Sequence, residues 1–312
     1  MRAIRVHAFG GPEVMQVEEV ADPIPGPGEV LVAIAAAGVN PVDTYIRSGA
    51  YGSLPDLPYT PGLDAAGVIE AVGKGVDNWQ VNDRVVVAKS LSGCYTELAV
   101  CPADGIHALP DRLSFEQGAA VNVNYVTAFR ALLDHGRMKA TDRVFVHGGT
   151  GGVGLAAIQI CRGHGVHVDA SGGTDAGRAA LLDNGAASAV PHGALDQLAE
   201  PPTLILENLA DANLQTDLDH VAPGGRIVIV GSRGDIMITP RVFLQKHPVV
   251  TGMNYWDGGD VGVARAFDAL SVGLANGDLN PVVGQRFKLA DAPAAHEAVM
   301  TDGKIGKVVL TM

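Results

Sequence analysis

Long apolar runs, cysteine and positive charge are all scarce in this 312-residue chain. No apolar stretch reaches the roughly 20 residues that a bilayer span requires, so no transmembrane helix is expected. The first residues, Met1-Arg2-Ala3-Ile4-Arg5-Val6, carry charge with no apolar segment behind it, and no signal peptide is expected. Three cysteines, Cys94, Cys101 and Cys161, are too few for a disulfide framework or a four-cysteine zinc lobe. Cys94 and Cys101 also stand too far apart for a zinc knuckle. Small buried apolar groups in a reducing cytoplasm are the expectation. Lys and Arg total 22 against 34 Asp and Glu, a net charge of −12. Such a chain repels nucleic-acid backbones and anionic membranes unless one face is locally basic. No Lys/Arg cluster supplies that face, so neither partner is expected.

Glycine is abundant, with 40 residues where a usual share is ~7%. Residues 1 to about 118 read as β-rich. Glu29–Ala36 follows the Pro-Gly turn at Pro25–Gly28, and Val68–Val72, Arg84–Ala88 and Tyr95–Cys101 are further short strands between glycines. That spacing suggests a small barrel or rolled sheet. After Glu116 the pattern changes. Phe115–Leu133 is helix-compatible, and strands at Arg143–His147, Val166–Ser171, Leu204–Glu207 and Arg226–Gly231 alternate with helical stretches. Alternation of this kind predicts an α/β fold with a doubly wound parallel sheet. Val261–Asn276 reads as a long helix, and the tail returns to strand, helix, strand.

The strongest motif is His147-Gly148-Gly149-Thr150-Gly151-Gly152-Val153-Gly154. Gly149, Gly151 and Gly154 fit G-x-G-x-x-G between a strand and a helix, the context that a dinucleotide site requires. In that reading Gly149 permits the turn, Gly151 lets backbone approach a pyrophosphate, and Gly154 lets helix lie on strand. About 20 residues on, NAD enzymes place an acid for the ribose hydroxyls. Gly173 stands there instead, and Asp175 is the one acid close by. Gly172-Gly173-Thr174 leaves room for a 2′-phosphate, with Arg178 and His192 as cationic neighbours, which favours NADPH. A second turn, Val230-Gly231-Ser232-Arg233-Gly234, closes a later buried strand, where Arg233 can reach the adenosine or its phosphate.

With these residues in view, the chain resembles the quinone oxidoreductases of the zeta-crystallin type. The resemblance runs through Gly10-Gly11-Pro12-Glu13-Val14, Ala37-Gly38-Val39-Asn40-Pro41-Val42-Asp43, Pro58-Tyr59-Thr60-Pro61-Gly62, the glycine turn, Val230-Gly231-Ser232-Arg233 and Gly306-Lys307. It implies the medium-chain dehydrogenase/reductase fold. A GroES-like barrel over 1–118 would be completed by 273–312, and a Rossmann domain over 119–272 would bind NADP, with a cleft between them. It also implies a homodimer or homotetramer. Cofactor contacts are implied at Tyr51, Thr150, Gly151, Gly152, Val153, Gly173, His192, Asn213, Val230, Gly231, Ser232, Arg233, Met253, Asn254, Tyr255 and Lys307.

Where zinc-dependent relatives carry their catalytic ligands, this sequence has Asn40, Leu63-Asp64 and the Asn122–Tyr125 region. Asparagine and leucine are poor or impossible zinc ligands, so metal-independent hydride transfer is expected. Polarisation of the acceptor then falls to hydrogen bonds or solvent. Tyr45 and Tyr51 are candidate donors to a quinone or enone oxygen, and Asn40 is a candidate to position nicotinamide or substrate. Asp43 is expected to brace Asn40. Three readings stand open: an NADPH:quinone reductase, an NADPH-dependent reductase of enone C=C bonds, and a structural or RNA-binding protein that retains NADPH.

Overall fold

A computed structural model describes all 312 residues. The chain divides into two compact units. One comprises Met1–Val123, Pro281–Thr301 and Gly306–Met312, and the other Asn124–Asn280 and Asp302–Ile305. The sequence reading sets the boundaries near 118 and 272, and places 302–305 with the barrel.

The first unit is built on a seven-stranded sheet. Its strands are β3 (Glu29–Val39), β4 (Asp64–Val72), β5 (Arg84–Val87), β6 (Leu98–Pro102), β7 (Ile106–Ala108), β14 (Val283–Lys288) and β15 (Lys307–Thr311). A hairpin of β1 (Arg2–Val6) and β2 (Met15–Glu19) lies beside it. Alternate residues of these strands, including Val32, Ile34, Ile69 and Leu310, share one apolar core with Ile4 and Tyr95. The last strand, β15, runs antiparallel to β3 and pairs Val308 with Val39. That register brings the start of β15 to the end of β3, where β4 also begins, since Asp64 lies opposite Gly38. From Asn40 the chain turns into α1 (Pro41–Ser48), a helix that the sequence reading did not find. Pro41 at its first position and the Asn40/Asp43 capping pair are its start signals.

The second unit carries six parallel strands in the order β10-β9-β8-β11-β12-β13. They are β8 (Arg143–Val146), β9 (His167–Ser171), β10 (Ser188–Val190), β11 (Leu204–Glu207), β12 (Arg226–Ile229) and β13 (Val249–Gly252). Most are short and largely apolar, as buried parallel strands require, although β9 carries His167, Asp169 and Ser171. Counted from β8, the order is 3-2-1-4-5-6, the dinucleotide-binding arrangement, with its switch point between β8 and β11. Helices α2 (Gly152–Gly163), α3 (Asp175–Asp183) and α4 (Ala210–His220) join consecutive strands. The helix expected over Phe115–Leu133 is interrupted after Phe115–Gly118 and resumes at Asn122, with wide helical turns at Asn122–Val126 and Arg130–His135 on either side of Thr127–Phe129. At Val123 the backbone N–H goes to the Asp64 carboxylate at 2.8 Å, a donor diverted from the helix ladder.

Two glycines separate close packing from backbone freedom. A Cβ on Gly67 of β4 would lie 2.0 Å from the Ala33 carbonyl oxygen, whereas one on Gly75, at φ +82°, would meet nothing within 4 Å. Gly67→Ala should therefore destabilise the protein by about 2–3 kcal/mol or more, through displacement of two paired strands. Gly75→Ala should cost only about 1 kcal/mol of backbone strain. Urea unfolding of both variants checks the order, and equal losses would refute the packing account of Gly67.

Candidate functional site

Three strand ends meet in the first unit and build a buried polar cluster. Lys307 opens β15, Asp64 opens β4, and Asn40 follows β3; all three are 3% exposed or less. The Lys307 ammonium donates to Asp64 Oδ2 and to Asn40 Oδ1, each at 2.5 Å. Asn40 Nδ2 in turn donates to Asp64 Oδ2 at 3.0 Å, so its amide orientation is fixed by two charges. Gly38 makes the room, because a Cβ there would lie 2.6 Å from the Lys307 Cε. Asp43 accepts from the Asn40 backbone N–H at 2.8 Å and from the Tyr95 hydroxyl at 3.2 Å. His296 Nε2 lies 3.2 Å from that hydroxyl. Burial pushes the Asp43 carboxyl up to about 7, an effect reinforced by Asp64 and opposed by the Asn40 N–H and by Lys307. Tyr45 and Tyr51 are half-buried. Tyr45 lies on α1, and Tyr51 lies just beyond its αL cap at Gly49.

These positions do not fit a catalytic zinc. Of the side chains at the expected ligand places, only Asp64 is a good zinc donor, and its charge is already matched by an ammonium. Asn122 is committed elsewhere, with Nδ2 3.3 Å from the Leu63 and Ala88 carbonyls. Lys307, which the resemblance assigns to the cofactor, is held in this cluster.

In the second unit the glycine turn sits at the switch point, and the structure revises the reason for each glycine. The left-handed residue is Gly148, at φ +59°, not Gly149. Gly149 is small because a Cβ would stand 2.8 Å from Leu181 Cδ2 and 3.0 Å from Ala170 Cβ. A Cβ on Gly152 would stand 2.3 Å from the Asn124 side chain, and one on Gly154 would stand 2.6 Å from the Gly149 backbone. Gly151 is different. It caps α2 at φ −71°, and a Cβ on it would meet only the Gly148 carbonyl, at 3.7 Å. The fold does not demand glycine there. Thr150 and Val153 flank it, partly exposed. A bare helix start with free N–H groups is an anion site.

At the end of β9, Gly173 faces the His192 ring, 3.3 Å from where a Cβ would stand. His192 Nδ1 lies 3.0 Å from Ser171 Oγ. Arg178 Nη1 donates to the Gly172 carbonyl at 2.9 Å and Nη2 pairs with Asp175. Asp169 lies within β9 and is buried against Ser188 and His167. A pocket of about 390 Å³ opens at the ends of β12 and β13 and gathers Val230, Gly231, Ser232, Met253 and Asn254, with Asp257. Arg233 N–H donates to Asp211 Oδ1 at 2.7 Å, which fixes its turn. Asn213 donates to Glu207 Oε1 at 3.1 Å and to the Leu209 carbonyl, both within the protein. Tyr255 stacks edge-on with Trp256, and its carbonyl accepts from Arg130 at 2.7 Å.

The sequence reading missed three features. Tyr95 and His296 are single residues far from any motif. Lys304, drawn into the second unit, has its ammonium pKa lowered by burial and by Arg233. His147, Glu207 and Asp217 form a fully buried group at the switch point. Burial raises both acids to about 7 and lowers the imidazole.

Asp43 makes stability fall as pH rises. Its folded value near 7 lies above the ~3.9 of an unfolded aspartate, so the native state alone keeps the proton between these values. The stabilising contribution is complete below pH ~4 and is lost by about pH 7, at up to ~1.4 kcal/mol per pH unit. Asp43→Asn should flatten the fall in thermal midpoint between pH 5 and 7. An unchanged slope in the variant would refute the assignment.

Known proteins share this architecture. Residues 26–111 match the family Alcohol dehydrogenase GroES-like domain, and residues 184–310 match the family Zinc-binding dehydrogenase. Quinone oxidoreductase of Sus scrofa is 42% identical, over all of this chain and 98% of its own length. The NADPH complex of Escherichia coli quinone oxidoreductase superposes with a TM-score of 0.88 at 29% identity, with both chains fully covered. An NAD-dependent alcohol dehydrogenase superposes with a TM-score of 0.92 at 28% identity, again with full coverage. Together with the 3-2-1-4-5-6 sheet and its glycine turn, these matches show that the chain belongs to the zeta-crystallin-like quinone oxidoreductases of the medium-chain dehydrogenase/reductase superfamily.

Proposed function

We propose that the chain is an NADPH-dependent quinone oxidoreductase that transfers hydride without a catalytic zinc. The observation that carries this reading is Gly151. Its backbone conformation and surroundings accept a side chain, yet the sequence leaves it bare at the switch point of a dinucleotide-binding sheet. What it leaves room for is a pyrophosphate at the start of α2. The 2′-phosphate is assigned to the corner formed by Gly173, Arg178 and His192, where the adjacent acid, Asp175, is paired with Arg178. Val230, Gly231, Ser232 and Met253 line the pocket that the cofactor's other parts use. When bound, NADPH supplies a hydride equivalent, and a quinone becomes a hydroquinone after one proton is added.

The chain's own part is to orient and to donate. Asn40, locked by Asp64 and Lys307, presents a fixed amide. Tyr45 and Tyr51 are assigned as phenol donors to the acceptor oxygen, which takes the place of Lewis-acid polarisation. The Lys307 ammonium between Asn40 and Asp64 supports zinc independence, since a cation already neutralises the best metal ligand present. Three buried free cysteines fit a cytoplasmic setting, and no helix is long and apolar enough to cross a membrane. A homodimer or homotetramer is proposed from the family resemblance alone.

Gly151→Val should leave the fold intact and weaken NADPH binding by at least about 100-fold, since branched carbons then occupy the phosphate approach. Titration of wild type should give tighter binding of NADPH than of NADH, by the charge-assisted hydrogen bonds of a 2′-phosphate, about 1.5–3 kcal/mol each. Equal affinities would overturn the cofactor assignment.

Steady-state NADPH oxidation against a quinone and an enone tests the acceptor, and faster turnover of the enone would overturn the quinone reading. On the quinone, Tyr51→Phe should lower kcat/KM by about tenfold with NADPH affinity unchanged, the cost of one hydrogen bond at the reacting centre. Unchanged kinetics in both Tyr51→Phe and Tyr45→Phe would mean that these rings only shape the pocket.

A further inference from the structure

A buried cation, Arg130, has no part in the function proposed above. It lies in the second unit and is 3% exposed. It opens the wide helical turn Arg130–His135, and wide turns of this kind are frequent at functional sites. Its guanidinium Nη1 donates to two backbone carbonyls, that of Asn254 at 3.2 Å and that of Tyr255 at 2.7 Å. Its Nε lies 3.6 Å from Asp134 Oδ2, an oxygen that also pairs with Arg265. Arg265 belongs to the long helix α5 (Gly259–Asn276).

A guanidinium loses strong hydration on burial, and only a counter-charge with good hydrogen bonds offsets that loss. Asp134 is the counter-charge. The hydrogen bonds both go to one segment, the short helical turn Tyr255–Gly258 with its cap Asn254. Gly258 is fitted to the same group. Its backbone lies at φ −80° and ψ −13°, a conformation that any residue adopts. A Cβ there would nevertheless stand 2.7 Å from Arg130 Cζ and 2.9 Å from Nη2. Glycine at this position serves the guanidinium and not the turn.

The segment that Arg130 holds is a wall of the pocket at the ends of β12 and β13. Met253, Asn254 and Asp257 line that pocket together with Val230, Gly231 and Ser232. Met253 is tied to β12 through its N–H, which donates to the Ile229 carbonyl at 2.8 Å. Beyond it the segment caps itself. Asn254 Oδ1 accepts from the Trp256 N–H at 3.0 Å, and Asp257 Oδ2 accepts from the Asn254 N–H at 3.3 Å. These two bonds shape the turn without anchoring it, whereas Arg130 grips it from another helix.

A dinucleotide straddles the switch point, with one nucleotide over each half of the sheet. With the 2′-phosphate at the end of β9, the nicotinamide nucleotide falls over β11, β12 and β13. Resting on that NADPH assignment, we propose that Arg130 is a positioning residue for the nicotinamide half of the cofactor, which it serves by holding the Asn254–Gly258 segment as a pocket wall. Its burial behind the segment makes the action indirect. The adenosine half, at Gly173, Arg178 and His192, lies over the other half of the sheet and does not depend on it.

The test is calorimetric titration of the full chain with two ligands. One is NADPH, and the other is 2′-phosphoadenosine 5′-phosphate, which carries the adenosine half alone. Arg130→Met removes the grip on both carbonyls and leaves Asp134 paired with Arg265. It should weaken NADPH binding by about tenfold and change binding of the adenosine fragment by less than about twofold. A general loosening of the fold would weaken both. If that variant does not fold, Gly258→Ala decides on the same comparison, since it drives a methyl into the guanidinium without deleting a charge. Failure of wild type to bind one of the two ligands would overturn the cofactor reading and this inference with it. Where wild type binds both, equal weakening of the two ligands in the variant, or of neither, would overturn the inference alone.

Discussion

The Lys307 ammonium, closed in by Asp64 and Asn40, is the contact on which the first unit turns. It joins the last strand of the chain to the ends of two strands laid down more than 200 residues earlier. A buried pair of this kind adds little net stability, but removing one partner leaves a naked charge and costs about 3–5 kcal/mol. The pair therefore enforces a register. β15 must place Lys307 beside Asn40, and only pairing of Val308 with Val39 does so. Gly38 follows from the same demand, since any side chain there would strike the lysine stem. So does the break in the helix near Val123, whose N–H is drawn off by the other Asp64 oxygen. One charge pair thus accounts for a strand register, a glycine and an interrupted helix.

That pair also bears on the chemistry. A carboxylate, an amide oxygen and a neighbouring backbone would leave a cation-hungry space at the end of β3. In this chain a side-chain ammonium fills it. An ammonium offers protons rather than empty orbitals, so it orients Asn40 without acting as a Lewis acid. In the proposed reaction, substrate polarisation falls to neutral donors, which gives the half-buried tyrosines near α1 their interest.

The parallel sheet and the glycine turn were readable because they are local. A strand, five closely spaced glycines and a helix lie within twelve residues of sequence, and their periodicities differ. The individual glycine roles were less readable. Gly149 and Gly148 look alike in sequence, and only the backbone shows that Gly148 takes the left-handed turn while Gly149 yields to Leu181 and Ala170. Helix α1 was hidden by its length and by its low apolar content, although Asn40, Pro41 and Asp43 spell a capping signal. Tyr95 with His296, and His147 with Glu207 and Asp217, were beyond reach for another reason. Each group is assembled from distant segments by strand order, and no spacing in the sequence encodes it.

Electrostatics poses a final constraint on the second unit. A chain with net charge −12 has to accept a polyanionic cofactor. Overall field cannot help, so local positive potential must. The start of α2 contributes unpaired N–H groups, and the corner near Gly173 gathers Arg178, His192, Arg233 and Lys304, with Asp302 the acid that acts on both His192 and Lys304. Asp175 is paired with Arg178 and so is muted. Asp211 is spent on the Arg233 turn, where the backbone N–H holds its carboxyl below the usual range. Only Glu207 and Asp217 remain close beneath the turn, and at full negative charge they would oppose a pyrophosphate across a few layers of low-dielectric protein. Burial holds both carboxyls up at about 7, so retained protons lower the charge beneath the glycine turn and favour an anion above it. The bare glycine above and the proton-retaining acids below are two halves of one electrostatic requirement.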